Sequence, residues 1–100
     1  MRVVYEEALS GRSVIDSTGR LIGEVDALVL DPEAWRVVAL RVKLHKDVTE
    51  ELGVSHGAFR AARLDVPCEF IQDLSDTLVL KGPVSGLQTL AAEQPSPTQH

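Results

Sequence analysis

The chain has no asparagine, one cysteine and four aromatic residues among its 100 positions, and it has no long hydrophobic run. One cysteine cannot form an internal disulfide, which suits a reducing compartment. No apolar stretch approaches the roughly 18–20 residues that a membrane-spanning helix needs, and the first residues lack the apolar segment of a secretory signal. We therefore expect a cytoplasmic protein that does not insert into a membrane.

Aspartate and glutamate outnumber lysine and arginine by 15 to 10, which gives a formal net charge of −5. This is the wrong sign for a protein whose main task is to hold nucleic acid. A length of 100 residues with 44% hydrophobic positions predicts one small domain with its own core. We place that domain at residues 1–90. We expect residues 91–100, which contain two prolines and no apolar period, to form a disordered tail.

Two turn sequences separate the apolar segments of the first half, Asp16–Gly19 (DSTG) and Asp31–Ala34 (DPEA). Gly19 can adopt the positive φ of a tight hairpin, and Pro32 suits the second position of a type I turn. Around these turns hydrophobic and polar residues alternate, which is the period of a strand. The alternation is clearest at residues 36–44, where one face carries Val38, Leu40, Val42 and Leu44.

The second half contains one helical segment and several short strands. Asp47–Gly53 predicts a short helix with Asp47 as its N-cap and Gly53 as its stop. Further strands are predicted at Ala62–Val66, Phe70–Leu74 and Thr77–Leu80, with Pro67 at a strand end or sheet edge. About six short strands with one helical insertion indicate a mainly β domain, and closure into a small six-stranded barrel would remove the exposed edges.

The segment Leu9–Val25 (LSGRSVIDSTGRLIGEV) resembles the opening of the PRC-barrel family, whose members show the pattern G-x-x-V-x-D-x-x-G-x-x-(I/L)-G-x-V. The match continues through Asp31–Glu33, Val37–Leu40, Val66–Pro67 and Leu74–Leu80, so the resemblance covers residues 9–80. It implies a six-stranded β-barrel that serves protein–protein contact and has no common catalytic centre.

The family resemblance also implies several kinds of protein assembly in which the chain could act. Small stand-alone archaeal and bacterial relatives are linked to cell-division complexes as adaptors of a membrane-anchoring division protein. Larger relatives carry the domain in the photosynthetic reaction-centre H subunit and in a ribosome-maturation factor. The resemblance therefore implies an adaptor in a larger assembly, with a cell-division complex as one such assembly.

The chain departs from the family pattern at the second hairpin, where Ala34-Trp35-Arg36 replaces the usual glycine. We expect this turn to use a different geometry. The only tryptophan then either folds back as a lid on the barrel end or anchors an interface. The stretch 27–30 is apolar on both faces, so the candidate interface residues are Trp35, Leu28, Leu30 and Leu44. Outward-facing leucines would need a second copy to cover them, which predicts a homodimer.

Basic residues gather on and beside the strand at 36–44. Four of them are candidate RNA contacts: Arg36, Arg41, Lys43 and Lys46. An RNA- or ribosome-associated accessory domain that uses this face is the alternative function. The solvated side of an amphipathic strand is the simpler interpretation, because the net charge is negative and few aromatic residues are present for bases to stack on.

Three sequence patterns resemble catalytic or metal-binding motifs, but their sequence context does not support these functions. Gly53–Gly57 matches G-x-S-x-G, but a nucleophile elbow needs a strand-to-helix turn with later Asp and His partners. His45 and His56 flank an acidic helix without a familiar metal-ligand spacing. Cys68 has carboxylates nearby that oppose a thiolate, so we expect a core or half-buried residue. We therefore predict a non-enzymatic, homodimeric interaction module without catalytic residues, cofactor or metal.

Overall fold

The computed structural model describes residues 6–53, 62–88 and 90. Its six strands are β1 (Ser13–Ile15), β2 (Leu21–Asp31), β3 (Arg36–Leu44), β4 (Arg63–Pro67), β5 (Ile71–Leu74) and β6 (Leu78–Leu80). The described residues also form two α-helices, α1 (Glu6–Leu9) and α2 (Lys46–Leu52), and two 3₁₀ helices, Cys68–Phe70 and Val84–Gly86. The prediction of a mainly β domain with a helical insertion after residue 44 is confirmed, and α1 is an addition to it. The predicted tail at 91–100 lies outside the described residues.

The strands form one six-stranded sheet in the order β4-β3-β2-β1-β6-β5. Neighbouring strands are antiparallel except β1 and β6, which pair in parallel. Within the described residues no ladder joins the two edge strands, β4 and β5, so a closed barrel is not confirmed. Pro67 ends β4, as predicted for a residue without an N–H to donate to a ladder. A 3₁₀ helix follows it and leads directly into β5.

The core is built from the alternating positions of the strands. In β3, Leu40, Val42 and Leu44 are buried, whereas Arg41 and Lys43 are exposed. Leu44 is therefore not the outward-facing interface residue that the sequence indicated. It shares the inner face with Leu40 and Val42, and only 4% of its surface is exposed.

The N-cap of helix α2 lies two residues earlier than predicted. Its N-cap is His45, with no side-chain hydrogen bond to the cap, so the assignment of Asp47 as N-cap is wrong. Asp47 and Glu51 instead form ion pairs with Arg20, at 3.3 and 2.8 Å. The stop at Gly53 is confirmed, because this glycine has a left-handed φ of 70° and its N–H reaches the last carbonyl groups of the helix.

The glycine of the I-G-x-V motif marks a close approach of two strands. Gly23 lies in β2 opposite Leu44 of β3. A Cβ atom at Gly23 would stand 2.2 Å from the carbonyl oxygen of Lys43, a backbone atom that cannot move aside. The sequence motif therefore records a steric requirement of the β2–β3 pair.

Candidate protein-interaction surface

The aspartate of the first turn is a structural residue. Asp16 is buried, and its Oδ1 accepts hydrogen bonds from the N–H of Thr18 (2.9 Å), the hydroxyl of Thr18 (2.7 Å) and the N–H of Arg20 (3.0 Å). Its Oδ2 accepts the N–H of Val84 at 2.9 Å. Burial would raise the pKa of Asp16, but these hydrogen bonds outweigh it and hold the pKa below its ordinary value. The motif aspartate thus ties the first hairpin to the C-terminal 3₁₀ helix.

The second turn has a similar pattern of hydrogen bonds to an aspartate, but its exposed residue is Trp35. The carbonyl of Asp31 accepts the N–H of Trp35 at 2.7 Å, and its Oδ1 accepts the N–H of Glu33 at 2.9 Å. Trp35 has φ 58°, the only positive φ of a non-glycine residue in the described ranges. Trp35 itself thus adopts the left-handed conformation that glycine favours, and the turn forms without a glycine. This conformation costs a non-glycine residue about 1–2 kcal/mol.

Trp35 extends into solvent with 76% of its surface exposed, so the interpretation as a lid on the barrel end is wrong. Leu30 and Val37 face each other across the β2–β3 ladder and are 48% and 38% exposed. We name these three side chains, Leu30, Trp35 and Val37, the tip patch. Leu28 lies further along β2, where it is half-buried and packs against the core.

The only cysteine of the chain lies beside the tip patch. Cys68 is exposed, so the prediction of a core or half-buried cysteine is wrong. Its Sγ lies 3.6 Å from the carbonyl oxygen of Val37. Although the residue is exposed overall, partial desolvation of its thiol raises the pKa of Cys68, and the nearby charge of Arg36 only partly offsets this. The thiol is therefore in its neutral form, which is not the activated state of a nucleophile.

The basic strand face carries balanced charge. Arg41 forms a two-point ion pair with Asp65 on β4, at 2.7 and 3.0 Å, which raises the pKa of Arg41. Arg63 of β4 bonds Asp26 of β2 at 2.7 Å. Lys43 lies between Glu24 and Arg63 in the same ladders. The structure therefore places acidic side chains among the predicted RNA contacts.

The other two candidate RNA contacts lie away from this face. Arg36 is the first residue of β3, beside the second turn, and Lys46 begins α2. Only Arg41 and Lys43 of the four share an exposed strand face. The structure does not assemble the four basic residues into one surface.

The remaining sequence candidates are only partly described. His45 is the N-cap of α2, while His56 and residues 54–57 of the G-x-S-x-G match lie outside the described residues. Across residues 6–53, 62–88 and 90, no three His, Cys, Asp or Glu side chains are grouped to hold a metal ion. Among the same residues, no helix has the length and apolar character required to cross a bilayer.

Comparison with known proteins identifies the fold. No curated protein matches the sequence significantly. One solved structure with the same fold is RimM of Pseudomonas aeruginosa, named as a 16S ribosomal RNA processing protein, with a TM-score of 0.54 and 16% sequence identity. The superposition covers 82% of this chain and 45% of RimM. This chain thus spans less than half of that protein, and at this identity the likeness concerns the fold alone.

The sequence resemblance noted above is confirmed by a family model. The model described as the PRC-barrel domain matches residues 1–83, which include all six strands. This chain belongs to the PRC-barrel domain family.

Proposed function

We propose that this protein is a non-enzymatic protein-interaction module, a homodimerising adaptor whose contact surface is the tip patch. The observation that carries the proposal is the placement of Trp35. The chain exposes its only tryptophan and holds it in a left-handed backbone conformation. A glycine at this position would remove both costs, so contact with a partner is the physical reason that favours the tryptophan.

The hydrogen bonds within the second turn support the same function. The hydrogen bonds that Asp31 accepts from Glu33 and Trp35 fix the backbone on which the indole stands. Leu30 and Val37, opposite each other in the ladder, add two exposed apolar side chains on the strands that this turn connects. A rigid aromatic side chain surrounded by smaller apolar groups is typical of the residues that dominate binding energy at protein interfaces.

The test compares two exposed leucines on the same strand. Leu30→Asp alters the tip patch, whereas Leu21→Asp alters a leucine of similar exposure, 43% against 48%, near the other end of β2. We expect the unaltered chain to self-associate with rising concentration in sedimentation equilibrium. Leu30→Asp should be monomeric with an unchanged circular dichroism spectrum, and Leu21→Asp should associate like the unaltered chain.

The adaptor part of the proposal requires a second protein. Capture from the native organism should recover a partner with the unaltered chain and not with Trp35→Gly, and the family resemblance makes a cell-division complex the first assembly to search. A chain that is monomeric at all concentrations would overturn the homodimer. Partners that Trp35→Gly retains would overturn the tip patch as the contact surface.

An RNA- or ribosome-associated role is the second candidate, and the shared fold of RimM favours it. Its surface would be the β3 face with Arg41 and Lys43. The acidic neighbours of that face make it the less favoured candidate, because they repel phosphate. Binding of ribosomal RNA that falls steeply with salt, and is lost in Arg41→Glu with Lys43→Glu, would establish it. Binding that ignores both changes would exclude it.

A further inference from the structure

A mostly apolar groove of about 570 Å³ lies between the two 3₁₀ helices. Its lining includes four apolar side chains and two charged ones: Phe70, Leu80, Pro83, Leu87, Glu69 and Lys81. Leu80 and Leu87 are core residues, so part of this lining is held in place by the packing of the domain. The volume falls within the range of about 300–1,000 Å³ found for small-molecule pockets. The groove can therefore receive an aromatic ring.

The groove and the tip patch are neighbours on one molecule. Cys68 directly precedes Glu69 and Phe70 of the groove, and its Sγ contacts the carbonyl oxygen of Val37 in the tip patch. A two-fold symmetric contact pairs the same surface of each copy, so a projection and a recess that lie side by side can each meet their counterpart. The chain has both parts of a reciprocal contact.

The charges near the two parts are complementary. Glu33 and Arg36 lie within two residues of Trp35 on the exposed turn, and Glu69 and Lys81 line the groove. A tryptophan from another copy would bring one acid and one base to a recess that also has one of each. Arg36 can then face Glu69, and Glu33 can face Lys81. This complementarity favours a second copy as the occupant and opposes a purely acidic or purely basic partner.

Contact area points the same way. A stable interface takes about 800 Å² from each partner, whereas one tryptophan, even fully covered, buries about 150–250 Å². The tip patch alone is too small. Insertion of Trp35 into the groove in both directions brings the tip patch and the groove lining of both copies into one interface.

We propose that two copies of this chain associate about a two-fold axis, with Trp35 of each copy inserted into the groove of the other. The inference rests on the proposed function, because it names the occupant of the tip patch. It adds the groove as a second binding surface.

Two substitutions test the two halves of the contact. Trp35→Gly removes the projection and keeps a residue suited to φ 58°. Gly86→Leu adds a large side chain to the groove lining, and a Cβ at Gly86 meets no atom within 4 Å, so no steric clash opposes the substitution. Each variant should weaken dimerisation at least about 30-fold, the effect of losing a dominant interface residue. Ser85→Leu, next to Gly86 in the same 3₁₀ helix and outside the groove lining, is the matched control and should dimerise normally.

Mixing the two variants isolates the insertion itself. Trp35→Gly contains no tryptophan but has an intact groove, and Gly86→Leu has an intact tryptophan but a filled groove. Their mixture restores one of the two contacts. The tryptophan emission of Gly86→Leu should therefore shift to shorter wavelength when Trp35→Gly is added, and it should not shift when more Gly86→Leu is added.

The outcomes separate this inference from the proposed function. If Trp35→Gly is monomeric but Gly86→Leu dimerises like the unaltered chain, the groove is not the recess, while the tip patch remains the contact surface. No emission shift in the mixture likewise overturns the insertion. If Trp35→Gly dimerises and retains every partner of the unaltered chain, both proposals fail.

Discussion

The two hairpin turns of this domain have a similar frame and opposite roles. Each begins with an aspartate whose Oδ1 accepts the N–H two residues on, at 2.9 Å in both cases. Each contains a residue with positive φ, Gly19 at 90° in the first turn and Trp35 at 58° in the second. The first turn directs its carboxylate into the domain, and the second directs its indole into solvent.

This difference shows which part of the family pattern is structural. Asp16 and Gly19 match the motif, and the contacts of Asp16 all serve the fold. Ala34-Trp35-Arg36 stands where the family pattern has a glycine, and Trp35 adds exposure and backbone strain. A departure from the pattern that makes the fold less stable is the better guide to function than the pattern itself.

The largest expected effect is the loss of the buried carboxylate. Asp16→Ala removes every hydrogen bond that the side chain accepts and leaves the N–H of Val84 without its partner. The free energy of unfolding should therefore fall by about 3 kcal/mol. Asp31→Ala, the matched change in the exposed turn, should cost about 1 kcal/mol. Urea unfolding monitored by circular dichroism measures both. Equal costs would show that the two turns do not differ in role.

The same carboxylate predicts a dependence of stability on pH. The pKa of Asp16 is lower in the folded chain than in the unfolded one, because hydrogen bonds to the ionised form outweigh the effect of burial. Its contribution is therefore complete above the unfolded pKa and is lost as the pH falls through the folded pKa. The stability difference between the unaltered chain and Asp16→Asn should be constant near neutral pH and should shrink below about pH 4. A difference that persists in strong acid would contradict this.

Local signals explain how much of the fold the sequence predicts. Alternation in β3 and the glycines at 19 and 53 depend on neighbouring residues only, and the structure confirms them. The inner or outer face of Leu44 depends on which strands pack against β3, so periodicity alone cannot assign it. The sequence does not reveal the positive φ of Trp35, because residue preferences assign that conformation to glycine. The Arg41–Asp65 pair joins residues 24 positions apart, and a sequence does not show such long-range partners.

Substitution of the two residues with positive φ, Gly19 and Trp35, should have the next largest effect on stability. Gly19→Ala forces a side chain into φ 90° and should cost about 1–2 kcal/mol. Trp35→Gly relieves the same strain, so its stability should be unchanged or higher by up to about 1 kcal/mol. Thermal unfolding of the two variants provides the measurement. A clear loss of stability in Trp35→Gly would mean that the indole supports the fold, and the case for a binding role would weaken.

The smallest expected effect lies on the sheet face between the two turns. Arg41 and Asp65 are 46% and 32% exposed in their side chains, so solvent screens their ion pair and Arg41→Ala should cost less than about 1 kcal/mol. Asp65 has further contacts, so a double-mutant cycle with Asp65→Ala is needed to separate the coupling of the pair from the other losses. A coupling as large as the cost of Asp16→Ala would place this face among the structural elements. A small coupling means that the Arg41–Asp65 pair balances the charge of this face while adding little to the stability of the fold.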